Sequence, residues 1–91
     1  MGCSITVSEC KELVIKVIER TLGFKPAKNQ VTIVKIQTYD NSINWVGFKI
    51  LSKGSLKEYR YVIDWDERYI VKLDKNDEGI NNSYIYFDGK Y

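Results

Sequence analysis

Three carboxylates around a tryptophan are the residues of this chain whose types and spacing could support hydrolytic or metal chemistry. Asp64 and Asp66 flank Trp65, and Glu67 follows. Paired carboxylates cleave glycosidic bonds in many hydrolases, and they also bind divalent cations. These three fall at the end of a predicted strand and in the turn after it, where acidic side chains commonly hydrogen-bond to nearby backbone. The chain has no histidine to act as an acid or base near neutral pH, so we expect a structural role and no catalysis.

A second acidic segment resembles the first half of a calcium-binding loop. Residues 74–79 read DKNDEG, with oxygen-bearing side chains at alternate positions and a glycine at the sixth. A calcium loop of this kind ends in a glutamate that binds the ion through both oxygens, and Ile85 stands at that position. The pattern therefore favours an ordinary hairpin loop, and we expect no metal ion and no other cofactor.

The two cysteines, Cys3 and Cys10, lie near the start of the sequence. Cys10 falls on the apolar stripe of a predicted helix, which favours a small core residue, while a disulfide with Cys3 would require the chain to fold back over the first helical turn. Residues 1–6 also match the N-myristoylation pattern at Gly2, with Cys3 as a candidate for palmitoylation. A pattern this short often matches by chance, and Thr6 is already explained as a helix cap. Lipid anchoring at Gly2 or Cys3 is therefore disfavoured.

The elements that position these residues follow from one change in the apolar pattern. Apolar side chains recur every three to four positions over residues 6–22, and from about residue 30 they alternate in short runs separated by turns. We predict a single α+β domain over residues 1–91, with one N-terminal helix packed on a four- to five-stranded antiparallel meander sheet. Thr6 and Glu9 form a predicted capping box, and Gly23 is a natural helix end.

The predicted strands cover residues 31–39, 44–51, 57–65, 68–74 and 83–87. In each of the first four strands, alternate residues share one face. The first strand has Thr32, Val34, Ile36 and Thr38 on one face, and the second has Val46, Phe48 and Ile50. The third has Tyr59, Tyr61, Ile63 and Trp65, and the fourth has Tyr69, Val71 and Leu73. One helix covers only one face of such a sheet, so the other face must be solvated or must contact something else.

Six large apolar residues do not fit a polar second face: Trp45, Leu51, Val62, Ile70, Ile85 and Phe87. If several of them share the uncovered face, they form a patch suited to a partner or to self-association. A strongly curled sheet with both faces partly buried explains them equally well, because the strand register is not fixed by sequence.

The overall charge narrows the choice of partner. The chain carries 14 basic and 12 acidic residues, and a net charge of +2 does not favour nucleic acid or an anionic membrane. Aromatic residues alternate with basic ones along the strands, a pattern that can bind nucleic acid, but nearby acidic residues balance the charge. No apolar run is long enough for a transmembrane helix and no apolar segment suits a secretory signal, so we expect a cytoplasmic protein.

Two stretches resemble the small PepSY and cystatin-like domains: residues 5–23, a capped helix ending in glycine, and residues 58–73, EYRYVIDWDERYIVKL. The usual turn of the PepSY hairpin carries a Thr-Gly pair, whereas this chain has Asp66, Glu67 and Arg68. The inhibitory Gln-Val-Gly loop of cystatins is absent. The resemblance implies a non-enzymatic module that binds or inhibits a partner protein, often a peptidase, and it assigns no functional residue.

The sequence thus favours a protein-binding or inhibitory module, and an immunity-type or mobile-element antagonist fits this description. The predicted partner is another protein or a second copy of the chain, and the alternative is a nucleic-acid-binding sheet. Trp45, Tyr61, Trp65 and Tyr69 are the candidate binding residues because large aromatic side chains dominate the energetics of protein interfaces. A role for the same four residues in the core remains equally open.

Overall fold

The computed structural model describes residues 6–40, 42–52 and 54–88. One helix, α1, is followed by five strands: α1 Val7–Thr21, β1 Val31–Tyr39, β2 Ser42–Leu51, β3 Glu58–Asp64, β4 Tyr69–Lys72 and β5 Ile85–Tyr86. The strands are antiparallel and lie in the order β1-β2-β3-β4-β5, so each pairs with its neighbour in sequence. The predicted α+β fold, a helix on an antiparallel meander sheet, is confirmed. Single-turn 3₁₀ helices at Lys28–Gln30 and Asn81–Ser83 precede β1 and β5.

Both ends of α1 are fixed by local hydrogen bonds. The Glu9 backbone N–H donates to the Thr6 hydroxyl at 3.1 Å, and the Thr6 N–H donates to the Glu9 carboxylate at 3.3 Å. At the other end, the N–H groups of Leu22 and Gly23 both donate to the Ile18 carbonyl, at 2.7 and 3.2 Å. Gly23 has a φ of +81°, a left-handed conformation that glycine adopts without steric cost. The predicted capping box and helix end are confirmed.

The core lies between α1 and one face of the sheet. It comprises the buried side chains of Cys10, Val14, Ile15, Val17, Ile18, Val31, Ile43, Val46, Phe48, Ile50, Ile63 and Ile70. Cys10 is completely buried, as predicted, and desolvation raises the pKa of its thiol. The predictions about Cys3 and Gly2 fall outside the described residues.

A β-bulge in β1 separates residues that the sequence alternation places on one face. Ile33 pairs with Phe48 and Lys35 pairs with Gly47, so Val34 is an extra residue in the strand. The extra residue reverses the alternation: Val31 is buried, and Ile33 and Ile36 pack against the core, whereas Val34 is 61% exposed. The predicted shared face of Thr32, Val34, Ile36 and Thr38 is therefore divided: Thr32 pairs with Lys49 on the side away from α1. Ile36 and Thr38 pair with the core residues Val46 and Ile43.

The six residues that did not fit a polar second face divide between the two sides of the sheet. Ile70 belongs to the core, and Ile85 and Phe87 pack against it. Trp45, Leu51 and Val62 alternate with core residues along β2 and β3, so they lie on the face turned away from α1. We call this second surface the outer face.

Candidate binding site on the outer face

The outer face combines aromatic, aliphatic and charged side chains. Its cross-strand pairs are Trp45 with Asp64, Gly47 with Val62, Lys49 with Arg60, Val62 with Val71, and Asp64 with Tyr69. Directly opposed residues in an antiparallel pair have their Cβ atoms about 5 Å apart, so the side chains of these pairs are neighbours on the face. The face therefore has an apolar centre and charged neighbours.

A glycine allows the indole of Trp45 to lie against the backbone of β2. A Cβ atom on Gly47 would stand 3.2 Å from Cη2 and 3.3 Å from Cζ3 of Trp45. Contacts this short are tighter than most real Cβ contacts, so any larger residue at position 47 must displace the ring. The ammonium of Lys35 lies 6.0 Å from the centre of the indole, at the outer limit of a cation–π contact.

The segment 73–84, which we call the outer loop, folds over the far end of this face. Leu73 and Gly79 form an isolated β-bridge. A Cβ atom on Gly79 would stand 3.3 Å from Cγ2 of Val71 and 2.6 Å from the Tyr84 hydroxyl. The outer loop therefore lies directly on β4, which explains why Val71 is only 3% exposed although it points away from α1.

Backbone hydrogen bonds to one carboxylate hold the outer loop in shape. Asp74 Oδ1 accepts from the N–H groups of Asn76 at 2.8 Å and Glu78 at 3.1 Å. These bonds are typical of a hairpin loop, the interpretation favoured from sequence. Among the described residues, no group of three or more His, Cys, Asp or Glu side chains could hold a metal ion.

Arg60 joins the outer loop to β3. Its Nη2 donates to the Asp74 carbonyl at 3.2 Å, and its Nη1 forms an ion pair with the Asp77 carboxylate. Asp77 has a φ of +63°, a left-handed conformation tolerated by aspartate. Both side chains are partly exposed, so the ion pair alone adds little stability. Its main effect is positional, because it holds the outer loop beside the centre of the sheet.

A groove of about 360 Å³ lies between the bulge of β1 and the outer loop. The residues that line it are Val34, Lys35, Trp45, Gly47, Phe48, Lys49, Arg60, Tyr61, Val62, Leu73 and Asp77. Ligand pockets span about 300 to 1,000 Å³. A groove at the lower end of this range suits a few side chains of a partner.

The cations that line the groove differ in whether a carboxylate lies beside them. Arg60 is paired with Asp77, and Lys49 lies 3.9 Å from the carboxylate of Glu58. Lys35 has no acidic side chain within 4.0 Å among residues 6–40, 42–52 and 54–88. The β1 end of the groove therefore carries a cation whose hydrogen-bonding capacity is open to a ligand.

The structure does not bring the four predicted binding residues together. Trp45 and Tyr69 lie on the outer face, whereas Tyr61 and Trp65 pack against the core on the side of α1. Tyr61 also lines the groove that Trp45 lines. Tyr61 stacks on Phe48 with ring centres 5.7 Å apart, and burial, followed by the nearby Tyr59, raises its pKa.

Two tyrosines of the outer face were not among the predicted binding residues. Tyr84 and Tyr86 make edge-to-face contacts with Tyr69, at ring-centre distances of 5.0 and 5.8 Å. Burial is the main reason that the pKa of Tyr69 is raised, with smaller contributions from Asp64 and the two neighbouring tyrosines. Tyr84 and Tyr86 are two residues apart in the sequence, and this spacing was the available sign that they lie on the same side of the sheet.

The acidic cluster around Trp65 forms one hydrogen bond within the turn and one to β2. Asp64 Oδ1 accepts from the Glu67 N–H at 3.0 Å, and Asp66 Oδ2 accepts from the Asn44 side-chain amide at 3.1 Å. None of the three carboxylates lines the outer-face groove. The hydrogen bond of Asp64 agrees with the turn interpretation, whereas that of Asp66 crosses to β2.

Comparisons with protein-family models, with curated proteins and with solved structures found no match for this chain. The resemblance to PepSY and cystatin-like domains therefore stays a prediction. Within the described residues, no helix is long and apolar enough to cross a membrane.

Proposed function

We propose that this chain is a non-enzymatic module that binds a partner protein through the outer face of its sheet, and that it inhibits the partner by covering part of its surface. The observation that carries the proposal is the groove between Trp45 and the outer loop. Its floor is opened by Gly47, and its apolar walls lie on the sheet face that α1 leaves uncovered.

The composition of the outer face supports a protein partner. Protein interfaces are enriched in tryptophan, tyrosine and arginine, and their energetic centres are pockets surrounded by polar groups. Here Trp45 and Val62 form the apolar centre, and the charged side chains of Lys35, Lys49 and Arg60 surround it. Burial of apolar surface contributes about 25 cal/mol per Å², so a partner side chain in the groove would gain affinity mainly from contact with this centre.

The charge around the groove favours a protein over a nucleic acid. Arg60 and Lys49 already lie beside carboxylates, which leaves Lys35 as the cation open to a phosphate. Nucleic-acid affinity depends on several phosphate contacts together. A groove with one unpaired cation cannot make several phosphate contacts.

Capture from native lysate with matched variants tests the proposal. The test variant is Trp45→Ala, and the control is Phe24→Ala, which removes a 46% exposed aromatic that does not line the outer-face groove. We expect wild type and Phe24→Ala to retain the same protein and Trp45→Ala to lose it, with circular dichroism showing that all three are folded. Equal retention by the three proteins would contradict the proposal.

Two further readouts separate the alternatives in the same experiment. Nuclease treatment and rising salt would remove a ligand that is nucleic acid, whereas a protein held by apolar contacts would be retained. Sedimentation of the purified chain with and without Trp45→Ala shows whether the retained protein is a second copy.

A further inference from the structure

We propose that the outer-face groove binds an acidic, extended segment of the partner, about four residues long, with an apolar side chain against Trp45 and a neighbouring carboxylate on Lys35. This inference rests on the proposed function and specifies the chemistry of the partner.

The charge requirement follows from how the groove's ions are paired. Three cations and one carboxylate line the groove. The carboxylate belongs to Asp77 and is paired with Arg60, and Glu58 lies beside Lys49, so Lys35 is the cation of the lining that no described carboxylate pairs with. Within the described residues, the Lys35 ammonium has no ion pair, and it lies 6.0 Å from the centre of the Trp45 ring. An ammonium group in this position can donate charge-assisted hydrogen bonds to a carboxylate on the segment that covers the indole.

The length of the segment follows from the direction of the groove across the sheet. Its lining begins at Val34 and Lys35 of β1, passes Trp45 of β2 and Val62 of β3, and ends at Leu73 directly after β4. Four adjacent strands at a spacing of about 4.8 Å span about 14 Å. An extended peptide rises about 3.4 Å per residue, so about four residues fit this span.

The two edges of the sheet are poor alternatives for the same segment. β1 contains register shifts between Ile33 and Lys35 and between Gln37 and Thr38, and such bulges interrupt the ladder that an added strand would need. The opposite edge, β5, contains only two residues. The outer face therefore offers a longer uninterrupted contact than either edge.

The test uses capped tetrapeptides as probes and the amide signals of the ¹⁵N-labelled chain as the readout. The acidic probe is acetyl-Asp-Phe-Glu-Leu-amide, its neutral counterpart is acetyl-Asn-Phe-Gln-Leu-amide, and the basic one is acetyl-Lys-Phe-Lys-Leu-amide. We expect the acidic probe to shift the signals of Gly47 and of the Trp45 indole, with an affinity about fivefold higher than that of the neutral probe.

Two variants assign the preference to a single cation. Lys35→Gln should bind the acidic and neutral probes equally, because the open ammonium is gone. Lys25→Gln changes an exposed lysine that does not line the groove, and it should keep the fivefold preference. Because both lysines are exposed, we expect both variants to remain folded.

Several results would overturn the inference. These are equal binding of acidic and neutral probes by wild type, a preference for the basic probe, no shift with any peptide, or a stronger shift of the same signals by an oligothymidine. The lysate test with Trp45→Ala does not depend on peptide charge, so the failure of this inference is distinguishable from failure of the proposed function.

Discussion

The two faces of the sheet bury apolar residues in different ways. On the inner face, α1 covers Val46, Phe48, Ile63 and Ile70, which are at most 1% exposed. On the outer face, the outer loop lies on Val71, Val62 is 7% exposed, and Trp45 stays half-buried beside an open groove. The inner face is filled by the protein's own core. The outer face keeps aromatic surface that the fold has not used, and this difference locates the proposed site.

The largest expected difference between the faces is in stability. Replacing Phe48 with alanine should lower the free energy of unfolding by about 3–5 kcal/mol, because it opens a cavity in a closed core. Trp45→Ala should cost about 1–2 kcal/mol, since a half-buried side chain on an open face loses fewer contacts. Urea unfolding of both variants measures the two values. Equal losses would mean that the outer face is a second core.

The Gly47–Trp45 contact gives the next largest effect. Gly47→Val should destabilise the fold by about 1–3 kcal/mol and change the near-ultraviolet circular dichroism, because the added Cβ displaces the indole. The loss should shrink when Trp45→Ala is also present. Gly54 has no atom within 4 Å of an added Cβ, so Gly54→Val is the matched control. A loss that persists without Trp45 would contradict the contact.

Release of the outer loop should have a smaller effect on stability. Arg60→Ala removes the ion pair with Asp77 and the hydrogen bond to the Asp74 carbonyl, at an expected cost of about 1 kcal/mol. Hydrogen exchange should accelerate at the amides of Asp77 and Glu78, whereas exchange in α1 stays unchanged. Uniform acceleration in both regions would indicate global destabilisation without a specific role for Arg60.

An effect confined to alkaline pH comes from Cys10 and Tyr61 on the inner face and from Tyr69 on the outer face, all of which have a raised pKa. Burial raises the pKa of Cys10 and of Tyr61, so the folded state holds its protons to a higher pH than the unfolded state. The free energy of unfolding is therefore highest below pH 9.0, the ordinary pKa of a thiol, and it begins to fall above that pH because of Cys10. It falls further above pH 10.0, the ordinary pKa of a tyrosine, because of Tyr61. Urea unfolding from pH 8 to pH 11 measures this slope. Tyr61→Phe should reduce it, and an unchanged slope would show that Tyr61 does not contribute.

The sequence predicted the elements well where a local pattern determines them. The capping box of Thr6 and Glu9 and the alternation of Val46, Phe48 and Ile50 are local, and the structure confirms them. The shared face predicted for β1 was wrong because one bulge at Val34 reverses the alternation, and no residue type marks that position.

The candidate site was harder to predict because it depends on strand register and on the outer loop. Tyr61 and Trp65 share an alternation with core residues of β3, so their places were foreseeable once the buried face was known. The contact of Gly79 with Val71 joins distant parts of the chain and has no local signal. Gly47 stands two residues after Trp45 on the same side of β2, and that spacing was the available clue to the groove.

The most direct test of the binding site is amide chemical-shift mapping of the ¹⁵N-labelled chain with the partner retained from lysate. We predict the largest shifts at Lys35, Gly47 and Arg60, which line the outer-face groove, and small shifts along the exposed side of α1. Shifts that concentrate on α1 and leave Gly47 unchanged would contradict a binding site on the outer face.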